Sequence, residues 1–466
     1  MMALRLRAQH RGFHSRRPSR ARDVARVGRV NPPAIRVVAI AAACILGLTA
    51  ATFPADEVHW TITGQNSVTV DWRGGDAEVR YGTTQALDRR VEAVAPEPLP
   101  FSSRGPFREA KITGLDQNTL YYYSIGGGPL HTFRTPPPRG GSGFTFYVQG
   151  DIGGSLDWKH VAECQALIAE GRPDFVLCVG DLTYGNSVGQ HAVDTHFNDV
   201  MRWSLDAAYM PAWGNHEWDK PRSDDLRNYK GRFDLPNPQS SPADRRYPYT
   251  GGGEDWYWFD YGNVRFVAYP DPWSGAWADW AQRAEEVMAE AEDDTAITFI
   301  VTFGHRPAFS SGEHEGEPEL QGFLGTLRAR NPKLVLNLNG HSHDYERTYP
   351  QGGVVHVTAG TGGSNLEEES GSGCPWRGGC PEPPWSAFRA MHHVAVRLHV
   401  ENDRIEGTVY CGPAGGGGSN TNDIACAQGS VIDSFTIYPY GLKPGAPKPP
   451  SEEEEEAQAK KPAPGR

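Results

Sequence analysis

Five apolar runs in this chain end in a glycine followed at once by a residue able to hold a metal ion: "FTFYVQGD", "FVLCVGD", "MPAWGN", "ITFIVTFGH" and "KLVLNLNGH". They deliver Asp151, Asp181, Asn215, His305 and His341 to points where buried sequence gives way to loop, with His343 two residues further on. Helical patterns around Lys159–Ala169, Trp277–Glu292 and Pro318–Ala329 lie between the runs. Such β-α-β alternation pairs strands in parallel and covers the sheet faces with helices. Ligands then gather outside the carboxyl ends of the strands, where glycine lets the backbone turn sharply and approach a bound group. Two carboxylates, an amide and three imidazoles suit divalent or trivalent first-row metals. Each motif alone is an ordinary turn or an ordinary histidine; six in order are not. On a strand, His341 and His343 are expected to point the same way, because side chains alternate.

The chain before this region reads differently. "SVTVDW", "AEVRYG", "EAKITGL", "TLYYYSIG" and "LHTFRT" are short alternating or β-branched runs separated by Gly and Asn, which predict a small sandwich. "TPPPRGGSG" reads as a linker. The predicted organisation is a basic region and export signal over 1–54, the sandwich over 55–136, the linker over 137–143, an α/β domain over 144–440 and a disordered charged tail over 441–466. In the α/β part, "WYWFDYGNVRFVAYP" reads as a hairpin, and "GGVVHVTAG", "HHVAVRLHV", "RIEGTVY" and "SFTIYP" as further strands.

Charge narrows the partners. Met1–Arg36 carries ten Arg, no Lys and one Asp, so the remainder stands at -21 against -12 for the whole chain. So acidic a body repels nucleic acid and anionic membranes. The basic stretch runs into the apolar "VVAIAAACILGLTAATF", which reads as an export signal, an uncleaved anchor being the other reading. In an exported protein, "CPWRGGC" and "CGPAGGGGSNTNDIAC" suit local disulfides better than metal sites, while Cys178 and Cys164 suit free buried thiols.

The ordered set "GDIGG", "GDLTYG", "GNHE", "GHRP" and "GHSHDYER" resembles the calcineurin-like metallophosphoesterases and, among them, the purple acid phosphatases. The resemblance runs from about Val58 to Pro439. It implies an N-terminal all-β fibronectin-III-like sandwich followed by an α/β four-layer metallophosphoesterase domain of mixed sheets flanked by helices. Tyr184, three residues after Asp181, is the most telling match. By this resemblance Asp151, Asp181, Tyr184 and His343 hold Fe(III). Asp181 bridges to a second, divalent metal (Zn, Mn or Fe) completed by Asn215, His305 and His341. His216 bonds the substrate phosphate, and His314 protonates the leaving group. Glu217, Tyr345, Glu346 and Arg347 are expected to hold the ligand loops in place, and Arg306 to form a structural salt bridge. Two departures stand out: Thr302 occupies a position where the family has Val, and the loop "SSGEHEGEPEL" matches poorly. Glu313 and Glu315 are expected to raise the proton affinity of His314.

The implied activity is hydrolysis of phosphate monoesters by attack of a metal-bound hydroxide, in a secreted or cell-surface protein. The serines of "FSSG" and "GTGGSN" lack the surroundings of a nucleophile elbow. An alternative substrate for the same centre is a phosphodiester or nucleotide pyrophosphate, since selectivity resides in the loops around 185–200, 218–250 and 310–317. A distant alternative is a non-catalytic cell-surface binding protein. The expected partner is a small phosphate ester, with neither nucleic acid nor a stable membrane partner after signal cleavage. The sequence leaves the oligomeric state open.

Overall fold

The computed structural model describes residues 54–367, 373–415 and 422–441. The export signal and the charged tail, Pro54 and Gly441 apart, lie outside the described residues. Among the described residues, no helix is long and apolar enough to cross a membrane.

The first part is the expected sandwich. One sheet runs Asp56–Gly64, Ser67–Arg73, Phe107–Ile112; the other runs Arg89–Glu92, Glu78–Gly82, Leu120–Ile125, His131–Arg134. Trp60, Ile62, Val68, Val70 and Ile112 bury against Val79, Tyr121, Tyr123 and Phe133 between them. The Tyr121 hydroxyl accepts the Asp116 N–H at 2.9 Å, the tyrosine corner that fastens such sandwiches. Strand Asp56–Gly64 alternates Val58, Trp60 and Ile62 with Glu57, His59 and Thr61 in the sequence, yet it is buried on both faces. One meets the sandwich core, and the other carries Glu57 and His59 against the second domain. There the Arg232 guanidinium, 3 % exposed, pairs with Glu57 at 2.9 Å, and Arg73 reaches Asp194 at 2.6 Å. The sandwich is thus a packed structural partner of the α/β domain.

Two mixed sheets make up the second part. The first runs Ala208–Ala212, Phe175–Val179, Phe144–Gln149, Val394–Val400, Ile405–Cys411, Val431–Ile437; its first three strands are parallel. The second runs Trp258–Tyr261, Val264–Ala268, Phe299–Phe303, Leu334–Asn339, Val355–Ala359, Tyr345–Thr348, Ser386–Ala390. In it the four strands from Val264–Ala268 to Val355–Ala359 are parallel. Phe146 and Phe175 of the first sheet meet Phe266 of the second edge-on, at 5.2 and 5.4 Å between ring centroids. Helices Val161–Glu170, Ala276–Asp293 and Pro318–Arg330 are close to those predicted. Strands Phe175–Val179 and Phe299–Phe303 are buried throughout, which is why "FVLCV" and "FIVTF" show no alternation. Thr302 is accommodated inside this core: its hydroxyl donates to Asn337 Oδ1 at 2.8 Å, and Asn339 donates to Thr358 Oγ1 at 2.8 Å. The departure at position 302 and the asparagines of "KLVLNLN" therefore explain one another.

Disulfides join Cys374 to Cys380 and Cys411 to Cys426, while Cys164 and Cys178 are free and buried, all as expected.

Candidate metal centre

All five Gly-plus-ligand corners fall just past the carboxyl ends of parallel strands, three from the first sheet and two from the second. The corners are tight. Asp151, Asp181, Tyr184 and His341 all have left-handed backbones, with φ of 56°, 48°, 58° and 72°. Four non-glycine residues in that region at one site mark a backbone held in place for function at a cost in strain. Two glycines are required by space rather than by φ. A Cβ on Gly214 would overlap Asp181 Oδ1, and one on Gly340 would overlap Asp151 Oδ2.

The donors form two touching groups. In the first, Tyr184 Oη lies 3.3 Å from Asp151 Oδ1 and 2.9 Å from His343 Nε2, with His343 Nε2 also 3.3 Å from Asp151 Oδ1. In the second, His305 Nε2 lies 3.1 Å from Asp181 Oδ2 and 3.1 Å from His341 Nδ1. The His341 N–H donates to Asp151 Oδ2 at 2.8 Å, tying the groups together. The two histidines of "GHSH" thus serve different groups. They do not point the same way as strand neighbours would, because Leu334–Asn339 has already ended and His341 sits in a turn.

Supporting contacts fix the tautomers. His305 Nδ1 faces the Val179 carbonyl at 2.9 Å and His343 Nδ1 faces the Asn365 carbonyl at 2.5 Å. A carbonyl only accepts, so each Nδ1 carries a hydrogen, which leaves Nε2 as the nitrogen available to a metal at the centre. Buried Glu217 accepts the N–H of Asp181 and Leu182 at 2.9 Å and that of Gly214 at 2.7 Å, holding two ligand corners as expected. Glu346 accepts from Ser311 N and Oγ at 2.6 and 2.7 Å and so anchors the loop that carries His314. Tyr345 and Arg347 correct the expectation. Both turn away from the ligand loops and bond Asp433 on the last strand at 2.8 Å, because their side chains leave the sheet toward that strand. Arg306 forms the expected salt bridge, to Asp271 at 3.2 Å, and also lies 3.0 Å from His341 Nε2.

Burial would raise the Asp181 carboxyl, but His305 and His216 beside it hold it below the usual carboxylate range. The reciprocal effect lifts His305 to about 10 against its own burial, chiefly through Asp181. Burial first, then the Asp151 charge, push the Tyr184 phenol well above its ordinary value. His216 Nδ1 sits 2.6 Å from Asn186 Oδ1, and its Nε2 is 3.9 Å from Asp181 Oδ2 at the open side. The His314 ring stacks on His341 at 4.0 Å between centroids, while the residue as a whole remains exposed to solvent. Its proton affinity is lowered, not raised as expected: partial burial and the His343 imidazole outweigh Asp151 and Glu313.

Sequence reasoning missed Asn186, Ser364 and Asn365. The Ser364 hydroxyl donates to the Asp151 carbonyl at 2.7 Å, within the glycine-rich "GTGGSN" that follows strand Val355–Ala359. The rule that found the five corners would have found it too, had it been widened to any Gly-rich strand end. A second grouping, His392 with Cys411 and Cys426, offers no metal site because both thiols are spent in a disulfide.

The donor set fits metal ions. Carboxylate and phenol oxygens and imidazole nitrogens face one another at about 3 Å, and Asn215 Oδ1 is buried toward no hydrogen-bond partner. Residues 144–345 match the calcineurin-like phosphoesterase family. The chain is a metal-dependent phosphoesterase. Its curated relatives include purple acid phosphatase 18 of Arabidopsis thaliana, 25% identical over 378 residues that span 74% of this chain and 78% of the relative. A nucleotide pyrophosphatase/phosphodiesterase of Hordeum vulgare is 26% identical over 355 residues, 66% of this chain and 87% of the relative. A solved purple acid phosphatase from yellow lupin (Lupinus luteus) seeds superposes with a TM-score of 0.61 at 21% identity, covering 82% of this phosphoesterase and 74% of that chain. At that identity the likeness is one of fold, and it spans most of this chain.

Proposed function

We propose that this phosphoesterase is an exported acid phosphatase that hydrolyses small phosphate monoesters at a mixed-metal centre. The observation that carries it is the pairing of Tyr184 with Asp151 and His343 in one donor group beside the all-imidazole and carboxylate group of Asp181, His305 and His341. Phenol oxygen is a hard donor that favours Fe(III), whereas two imidazoles and a carboxylate suit Zn, Mn or Fe as the divalent ion. Asp151, Tyr184 and His343 would hold the first ion, His305, His341 and Asn215 the second, and Asp181 both. Bound there, the metal pair supplies Lewis-acid charge neutralisation and acidifies water.

The chain's own groups do the rest. His216, held through Nδ1 by Asn186 Oδ1, faces the open side, where its Nε2 is turned toward the space a phosphoryl group would occupy. His314, stacked over His341, is placed to give a proton to the departing alkoxide. Two disulfides support export to an oxidising compartment. The test is a comparison of p-nitrophenyl phosphate with bis-p-nitrophenyl phosphate. A monoesterase prefers the former, and Asp181→Asn abolishes both activities; preference for the diester would favour the reading suggested by the barley relative. Retention of full activity in Asp181→Asn would sink catalysis at this centre.

A further inference from the structure

The loop that presents His314 has little structure of its own, yet its backbone is held from one side by a second loop, the one closed by the Cys374–Cys380 disulfide. Gly378 N–H donates to the Ser311 carbonyl at 2.8 Å, and a Cβ on Gly378 would press on Ser311 at 3.0 Å. Arg377 Nη1 donates to the Glu313 carbonyl at 3.2 Å, and its Nε lies 3.5 Å from Glu315, so its guanidinium spans the residues on either side of His314. Arg389 reaches both loops, donating to Ser311 Oγ at 2.9 Å and to the Gly379 carbonyl at 2.8 Å.

This second loop is anchored in turn. Trp376 is 2 % exposed, packs with Leu366 and Met391 in a small core of its own, and lies under the Arg389 guanidinium at 4.5 Å. Its indole N–H donates to Asp423 Oδ2 at 2.7 Å, and Asp423 Oδ1 accepts the Met391 N–H at 2.8 Å. Asp423 belongs to the loop closed by Cys411–Cys426. A series of contacts thus runs from Asp423 through Trp376 and its neighbour Arg377 to the residues on either side of His314, whose ring stacks on His341.

We propose that the disulfide-closed loop 374–380 is a positioning clip that seats His314 over the metal centre, with Arg377 as its contact residue. The inference rests on the reading of His314 as proton donor to the leaving group. Removing the Arg377 guanidinium leaves the metal donors untouched, since its contacts go to Glu313 and Glu315. What it removes is placement of one ring, and misplacement by about 1 Å can cost on the order of 100-fold in a step that needs the group. The clip therefore matters for esters with poor leaving groups, which need a proton, and hardly for p-nitrophenyl esters, which leave unaided.

The experiment measures kcat for an alkyl phosphate and for p-nitrophenyl phosphate in the wild-type enzyme and in Arg377→Ala, Arg377→Lys, Cys374→Ser/Cys380→Ser and His314→Ala. The proposal expects a loss of about tenfold or more on the alkyl ester, with p-nitrophenyl turnover within about twofold, in Arg377→Ala and the cysteine double variant. Arg377→Lys restores part of it. If His314→Ala shows the selective loss and the Arg377 variants do not, the clip is overturned and His314 stands. If His314→Ala shows no selective loss, the proton-donor reading falls and takes the clip with it. Equal loss on both esters in Arg377→Ala makes the loop merely structural and also overturns the proposal.

Discussion

Glu217 Oε2 accepts the Asp181 N–H at 2.9 Å and the Gly214 N–H at 2.7 Å, so one buried carboxylate sets the spacing of the Asp181 and Asn215 corners. Its other oxygen accepts the Leu182 N–H. In Glu217→Gln one oxygen becomes an amide NH2 that faces a backbone donor, and the corners part. Outer contacts of this kind are typically worth about 10–100-fold in metal affinity. We expect a loss of that order, read as metal retained after dialysis against a graded chelator series, with the far-ultraviolet circular dichroism unchanged.

Gly214→Ala attacks the same corner sterically. The new methyl overlaps Asp181 Oδ1, and neither the buried carboxylate nor the corner backbone has room to give. A displacement of about 1 Å there predicts a fall in kcat/KM on the order of 100-fold. Thermal denaturation of this variant checks that the fold survives; we expect it to, because the strain is confined to one turn.

The domain interface makes stability depend on pH. Burial, the largest influence, raises the Glu57 carboxyl to about 7 despite Arg232. Its unfolded value is near 4.5. The folded protein binds the extra proton between those values, so this contribution to stability is full below pH 4.5 and is lost as pH rises through about 7. His196 works the other way. Burial lowers it to about 3, with its Nδ1–H given to the Gly153 carbonyl at 3.1 Å, so its contribution is present above pH 6.5 and lost as pH falls toward 3. Urea unfolding as a function of pH is expected to show stability falling less steeply between about pH 5 and 7 in Glu57→Gln than in wild type.

Tyr345 and Arg347 support the fold rather than the centre. Asp433→Ala leaves the fully buried Tyr345 phenol and the largely buried Arg347 guanidinium without their carboxylate, and breaking such a pair costs about 3 kcal/mol. The measurable outcome is a lowered unfolding free energy with kcat and KM near wild type. A large drop in kcat with stability intact would return these residues to the role the sequence suggested.

The centre was more legible in the sequence than the sheets around it. Its corners follow one rule, an apolar run broken by glycine, that survives in "QGD", "VGD" and "FGH" without any knowledge of neighbours. Strand Ala208–Ala212 did not show because Ala, Met and Pro carry little β preference, and it forms only because Phe175–Val179 offers a parallel edge. Strand Tyr345–Thr348 reads as charged loop, yet Glu346 is buried since Ser311 and Ser386 satisfy it. Likewise the two acidic neighbours of His314 in sequence mislead about its proton affinity, because its burial and the imidazoles of His343 and His305, brought in by the fold, oppose them. Sequence neighbours announce local chemistry; charges that arrive through the fold do not.

Metal content and the visible spectrum of the purified protein, wild type against Tyr184→Phe, probe the proposed centre most directly. A phenolate–ferric site beside a divalent one gives near-stoichiometric iron with a second metal, and a violet charge-transfer band that disappears in the variant. Bound metal with no iron and no band would contradict the phenolate–ferric assignment, and failure to bind any metal after reconstitution would contradict the dimetal centre itself.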